Sequence, residues 1–250
     1  MKIKLSIIIL CLALLLCTAC SPSEEDTLPI VANKGALLEE SNDMGQGYID
    51  SFIFIGESTT YHLKSRGVLT GGKSTTQVWG TEAGTLNLSL TIDTTKIVYP
   101  ETGELLTFRE AAAKKRPEYV LLTFGLNGAV QNIRLGEEYY KDCYKRLIKA
   151  IREGSPNTKI ILGAAFPVAE NMDMSAYSVD LDTLNSYIDT INSWTFKLAE
   201  EEGLRYLNTA EALKDENGRL PLKYQVGDGH HLTKDAYEVI LRYIRTHAYV

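Results

Sequence analysis

Apolar, β-prone runs that stop at a glycine, alternating with stretches of helical periodicity, constrain this chain more than any other feature. Phe52-Ile53-Phe54-Ile55-Gly56 and Tyr119-Val120-Leu121-Leu122-Thr123-Phe124-Gly125 are the clearest runs. Residues 51–55, 119–124, 159–165 and 204–207 read as strands, and residues 137–153, 181–202 and 233–246 as helices. Within 181–202, Leu181, Leu184, Ile188, Ile191, Trp194 and Leu198 recur every three or four positions, which makes an amphipathic stripe. Asp180 or Asp182 can begin that helix, Gly203 closes it, and Thr233 can cap the last helix. Strands that alternate with helices imply a parallel sheet covered on both faces.

Residues 60–118 carry a weaker pattern. Thr91-Ile92-Asp93-Thr94-Thr95-Lys96-Ile97-Val98 is β-prone, Pro100-Glu101-Thr102-Gly103 is a turn, and 104–115 reads as a helix ending before Arg116-Pro117. A second strand of the sheet is expected near 76–79. Gly67-Val68-Leu69-Thr70-Gly71-Gly72-Lys73-Ser74 matches the phosphate-loop pattern letter for letter. Such a loop must follow a buried strand and open a helix. Here Tyr61 to Arg66 is polar and Thr75 to Gly80 is β-prone, so a flexible loop is the expectation and nucleotide binding is not.

Three stretches at the ends of candidate strands carry residues with chemistry. Ser58 follows the first apolar run in Gly56-Glu57-Ser58, which places a hydroxyl where a strand gives way to a turn. Asp228-Gly229-His230-His231 puts an acid three residues before a histidine, and so supplies a base and a group to orient it. A serine hydroxyl is a poor nucleophile until an imidazole takes its proton. Asn127, in Gly125-Leu126-Asn127-Gly128, can offer a side-chain N–H to an oxyanion, and the backbone N–H of Gly80 is a further candidate donor. Each residue also has a plainer reading. Ser58 alone is more often a helix N-cap, Asn-Gly is a common turn, and His230 and His231 can be exposed loop residues. Asp228, His230 and His231 could hold a metal, but the sequence supplies no further ligands. His62 and His247 have no supporting pattern. The order and placement of Ser58, Asn127, Asp228 and His231 favour the catalytic reading.

With those residues in that order, the chain resembles the SGNH (GDSL-type) hydrolases, whose four blocks carry Ser, Gly, Asn and His. The matching positions are Ser58, Gly80, Asn127 and His231, and the resemblance spans residues 50–247. It implies a three-layer α/β/α sandwich with a parallel, flavodoxin-like sheet. It also implies a Ser58–His231–Asp228 triad acting through an acyl-enzyme, with an oxyanion hole made by Ser58, Gly80 and Asn127. No metal or organic cofactor is implied. Two residues depart from the family pattern: Glu57 stands where Asp is usual before the nucleophile, and Gly128 where Asp is usual after the amide. Gly71, Gly72 and Gly84 lie close to Gly80 and compete for its role.

The N-terminus addresses the protein. Lys2 and Lys4 precede an apolar core from Leu5 to Leu16, the layout of a secretory signal, too short to span a bilayer comfortably. Leu16-Cys17-Thr18-Ala19-Cys20-Ser21 looks like a bacterial lipobox, with Cys20 as the lipidated residue. The expected organisation is a lipoprotein signal at 1–20, a flexible spacer at 21–47 and a hydrolase-like domain at 48–250. Of four cysteines only Cys143 then remains in the domain, which excludes an intradomain disulfide. Losing Lys2 and Lys4 takes the net charge from −6 to −8, which argues against nucleic acid as a partner.

The functional expectation is an exported, membrane-anchored serine esterase that removes short acyl groups from small-molecule or polysaccharide esters. A lipase of the same family, or a non-catalytic glycan-binding lipoprotein on a hydrolase scaffold, are the alternatives. Trp79, Tyr99 and Tyr177 are either sugar-stacking platforms or core residues.

Overall fold

The computed structural model describes residues 35–249. Among the described residues seven strands form, β1 (Phe52–Gly56), β2 (Val78–Trp79), β3 (Lys96–Val98), β4 (Leu105–Thr107), β5 (Tyr119–Thr123), β6 (Lys159–Gly163) and β7 (Arg205–Leu207). The helices are α1 (Gly45–Asp50), α2 (Ser58–Ser65), α3 (Phe108–Lys115), α4 (Ala129–Leu135), α5 (Glu137–Gly154), α6 (Leu181–Glu201) and α7 (Lys234–Thr246). Five strands pair in parallel in the order β2-β1-β5-β6-β7, which in chain order is the flavodoxin-like 2-1-3-4-5 arrangement.

The period of two along each strand divides the core. Ile53, Ile55, Val120, Leu122, Ile160 and Leu162 face one layer, where they meet Ala111 and Ala112 of α3, Tyr144 and Leu147 of α5, and Ile188 and Ile191 of α6. Phe52, Phe54, Leu121 and Ile161 face the other, against Ile49 of α1, Leu63 of α2 and Tyr237, Ile240 and Ile244 of α7. The register carries this across the sheet, with Phe54 opposite Leu121 and Leu121 opposite Ile161. Because both faces are covered, β1 and the first four residues of β5 are apolar without interruption, and both strands are buried throughout. The sequence stripe of α6 packs as expected, with Asp180 as its N-cap accepting from the Thr183 N–H at 2.7 Å. Thr233 caps α7, accepting from Ala236 N–H at 3.3 Å.

The strand order reverses between β1 and β5, so a crevice opens between their C-terminal ends. Gly56 lies at this edge, opposite Thr123. A Cβ there would sit 2.3 Å from the Thr123 carbonyl oxygen and 2.3 Å from Thr60 Oγ1. Gly56→Ala is therefore expected to lose about 1–3 kcal/mol of stability, since overpacking against backbone cannot relax by a rotamer change. Chemical denaturation of the variant measures it; an unchanged midpoint would show that the edge is looser than these distances.

Several expectations need correction. The β-prone segment 91–98 does not join the parallel sheet; a 3-10 turn at Ile92–Thr94 breaks it, and only Lys96–Val98 is strand. The turn at 100–103 folds the chain back, with Gly103 in the left-handed region at φ 76°, so β3 pairs antiparallel with β4. The helix expected from 104 thus starts at Phe108, where Thr107 and Glu110 form a reciprocal capping box. Within the spacer expected over 21–47, Ala36, Leu38 and Met44 are hydrogen-bonded to β7 and α7. Leu38 N–H donates to the Tyr206 carbonyl and Tyr206 N–H to the Ala36 carbonyl, both at 2.8 Å, while Met44 N–H reaches the Arg245 carbonyl at 3.0 Å. Ala36 and Leu38 are buried, which polar composition nearby conceals. The signal expected at 1–20, the lipidation expected at Cys20 and the spacer expected from 21 to 34 fall in residues 1–34, outside the described residues.

The phosphate-loop match has helix α2 before it and only a 3-10 turn at Gly72–Ser74 within it, so it lacks the strand and helix such a loop needs. Trp79 and Tyr99 are fully buried and serve as core, not as sugar platforms. Cys143 is buried and free, and burial raises its thiol pKa, as for an inert core thiol. Among the described residues no helix is long and apolar enough to cross a membrane.

Candidate active site

Ser58 is the first residue of α2, and Glu57 rather than Ser58 takes the N-cap position. The Ser58 hydroxyl is therefore not spent on a cap, and the plain reading of it fails. Its Oγ lies 3.0 Å from His231 Nε2. The other ring nitrogen of His231, Nδ1, lies 2.7 Å from Asp228 Oδ2. A carboxylate on Nδ1 keeps the proton there and leaves Nε2 as the acceptor for the serine proton.

The loop that carries Asp228 and His231 is held in this geometry by its own contacts. Residues Gln225 and Leu232 form an isolated antiparallel bridge that brings its two ends together. The side-chain oxygen of Gln225 accepts from the Gly229 N–H at 3.0 Å, and the Gly229 carbonyl accepts from Ala169 N–H at 2.7 Å. Gly229 has φ 85°, and a Cβ there would lie 2.5 Å from the Met172 Cα, so no other residue fits without moving that backbone. Asp228 Oδ1 accepts from the backbone N–H of His231 at 2.9 Å and of His230 at 3.1 Å. Partial burial opposes the Asp228 charge, but those N–H groups and the His231 ring outweigh it and hold the carboxyl down to about 2. Asp228 is thus ionised throughout the neutral range.

His230 does not join the relay; its Nδ1 lies 3.2 Å from the Asp228 carbonyl oxygen and its ring 4.0 Å from that of His231. His62, to which the sequence assigned no role, lies with its ring 4.6 Å from His231. It stands four residues after Ser58 on α2, so helical spacing alone puts both on one face. Burial, reinforced by His231, lowers its pKa to about 4, so His62 is neutral beside His231 at neutral pH. Asp228, His230 and His231 offer ligand atoms within 4.8 Å of one another, but a cation there would take both Asp228 and His231 out of the relay.

Asn127 is half-buried at the C-terminal end of β5, with its Nδ2 3.4 Å from Thr85 Oγ1. Its backbone N–H donates to Glu57 Oε1 at 3.0 Å, which ties the loop to the residue before Ser58. Gly80 follows β2 at the same edge; its carbonyl accepts from Val98 N–H at 3.0 Å, and a Cβ on it would come 3.9 Å from the Tyr61 ring of α2. A Cβ on Gly84, which has φ 72°, would lie 2.7 Å from the Tyr61 ring, and its N–H donates to the Thr81 carbonyl at 3.0 Å. Gly128 opens α4 with φ 73°, a conformation that an Asp adopts less readily.

A sequence profile of the GDSL-like Lipase/Acylhydrolase family matches residues 54–239, from β1 into α7. The chain belongs to that family. Several solved structures share the fold of this GDSL-like acylhydrolase. A Streptococcus pneumonia protein provisionally named as a platelet activating factor aligns at TM-score 0.53 and 18% identity, over 77% of this chain and 81% of its own. A provisionally assigned acylhydrolase from Bacteroides fragilis NCTC 9343 aligns at 0.52 and 16%, over 81% and 86% of the two chains. A DUF4886 family protein from Bacteroides uniformis ATCC 8492 aligns at 0.50 and 16%, over 78% and 82%. At these identities the likeness is one of fold. No curated protein matches the chain in sequence.

Proposed function

We propose that this GDSL-like acylhydrolase is a serine esterase that works through an acyl-enzyme. The observation that carries this reading is the unbroken relay from Ser58 Oγ to His231 at 3.0 Å and from His231 to Asp228 at 2.7 Å. His231 takes the serine proton as Ser58 attacks the ester carbonyl, and Asp228 stabilises the imidazolium that results. His231 then returns the proton to the leaving alcohol. Water, deprotonated by the same imidazole, clears the acyl group. The N–H groups of Ser58 and Gly80 and the amide of Asn127 hold the oxyanion.

The substrate we infer is a short acyl ester on a carbohydrate or another cell-envelope component. Past the signal-like N-terminus no long apolar stretch offers a lid for a fatty chain, and that N-terminus with Cys20 supports export and lipid anchoring at the outer face of the membrane. Hydrolysis of p-nitrophenyl acetate, butyrate and decanoate tests both levels. Turnover that falls with chain length supports the short-acyl reading, and turnover that rises makes the protein a lipase. Absence of turnover on all three, together with no labelling of Ser58 by a fluorophosphonate, would sink the enzyme and leave a binding protein.

Asn127→Ala is expected to lower kcat by about 10²–10³ while the protein stays folded, as for the loss of one oxyanion donor. Its side chain makes only long contacts, to Thr85 and Asn87, so little structure depends on it. A kcat within threefold of the native value would remove Asn127 from the hole.

A further inference from the structure

Glu57 is 4% exposed, yet it is ionisable and sits next to the nucleophile. Three consecutive N–H groups at the end of β5 converge on it. Gly125 and Asn127 donate to Oε1, each at 3.0 Å, and Leu126 donates to Oε2 at 3.2 Å. The other titratable groups that sense its charge are Tyr140 and Tyr144 of α5 and Tyr177, all phenols whose burial pushes them further from ionising. Two of them hold the same loop from the opposite side. Tyr140 donates to the Phe124 carbonyl at 3.1 Å, and Tyr144 accepts from the Phe124 N–H at 3.2 Å. No Lys, Arg or His among the described residues hydrogen-bonds to Glu57, so backbone dipoles alone compensate its charge.

We propose that Glu57 is a positioning residue whose carboxylate clamps the Gly125–Leu126–Asn127 backbone and so fixes the Asn127 amide for the oxyanion. The inference rests on the esterase reading above. Gly125 adopts φ 147°, and a Cβ there would meet Ala165 Cβ at 2.8 Å, so the loop lies against α6 and the segment after β6 in a conformation that needs holding. An ionised carboxylate accepts on both oxygens, which matches three donors. A protonated carboxyl turns one oxygen into a donor that faces a buried N–H, and one bond of the clamp is lost.

Stability and positioning pull in opposite directions here. Burial raises Glu57 to about 7 against the pull of the three N–H groups. A folded-state pKa above the unfolded 4.5 means that the folded protein prefers the proton; the associated stability is full below 4.5 and is lost as pH rises through 7. The clamp, in contrast, is complete only above 7.

Glu57→Gln keeps the shape and removes the charge, and its amide nitrogen places a donor against one of the three N–H groups. Two readouts are taken on the purified protein and the variant: steady-state kinetics on p-nitrophenyl acetate, and amide NMR spectra between pH 5 and 9. The expected kinetic result is a fall in kcat of about 10- to 100-fold with KM changed less than about threefold, the mark of a displaced transition-state donor. In the native protein the Gly125, Leu126 and Asn127 amides are expected to shift together with one midpoint near 7, and in the variant not to shift. A folded variant with kcat within twofold of native overturns the proposal, and so do native amides that fail to titrate together. If the variant does not fold, the native titration still decides. If the native protein hydrolyses no ester, the titration decides the clamp and the failure falls on the esterase reading.

Discussion

Replacing Ser58 by Ala is expected to lower ester turnover by about 10⁴–10⁶-fold and to leave the fold intact. The size follows from the relay acting as a unit: without the nucleophile, His231 and Asp228 have nothing to activate, and only binding and oxyanion contacts remain over the uncatalysed rate. The harmlessness follows from position. Ser58 caps nothing, and its hydroxyl makes one side-chain bond, to His231 Nε2 at 3.0 Å. The pairing of Gly56 with Thr123 and the Glu57 contacts to residues 125–127 do not involve it. The measurement is p-nitrophenyl acetate hydrolysis by native and variant protein, with far-UV circular dichroism and thermal melts alongside. Activity within tenfold of native would assign the nucleophile to another residue, and a collapsed melt would make Ser58 structural.

β1, β5 and β6 were readable because each is built on a single apolar run, buried on both sides and closed by a glycine at or just past its end. The registers of β1, β5 and β6 follow directly once those runs are laid in parallel. Asp228 and His231 were readable because they act across three residues of one loop, where spacing carries geometry. What escaped depends on distant partners. Thr91 to Val98 has strand composition, but its pairing is decided by the turn at 100–103 and by Leu105–Thr107, not by its own residues. α4 is only seven residues long and has Gly128 in its N-cap position, so no capping side chain and little periodicity announce it. Ala36 and Leu38 lie in a polar stretch, and only the Tyr206 backbone some 170 residues away makes them part of the sheet edge. Glu57 could be seen as a departure from Asp, but its three donors come from 68 to 70 residues further on, and one sequence does not show that convergence.

Asp228→Asn is expected to lower kcat by about 10⁴-fold, nearly as much as loss of the nucleophile. An Asn at this site keeps an oxygen for the N–H groups of His230 and His231, which now donate to Asp228 Oδ1 at 3.1 and 2.9 Å, so the loop retains its shape. Its amide nitrogen then faces His231 Nδ1, where the carboxylate oxygen stands at 2.7 Å. A donor there draws the ring into the tautomer with its proton on Nε2, and the group that should accept from Ser58 becomes a second donor. The imidazolium also loses the negative charge that stabilises it. Stability changes with pH in a direction that separates this role from a structural one. The carboxyl is held at about 2, below its ordinary 3.8, so its contribution is present above the ordinary value and disappears as pH falls through 2. The difference in melting temperature between native and variant is therefore expected to be largest near neutral pH and to close toward pH 2, while the kinetic defect persists at every pH where the native protein works. Thermal melts from pH 2 to 7 and kcat on p-nitrophenyl acetate from pH 5 to 9 provide the two curves. A variant with more than a tenth of native kcat would show that His231 takes its tautomer without Asp228, and would reduce the pair at 2.7 Å to a loop contact.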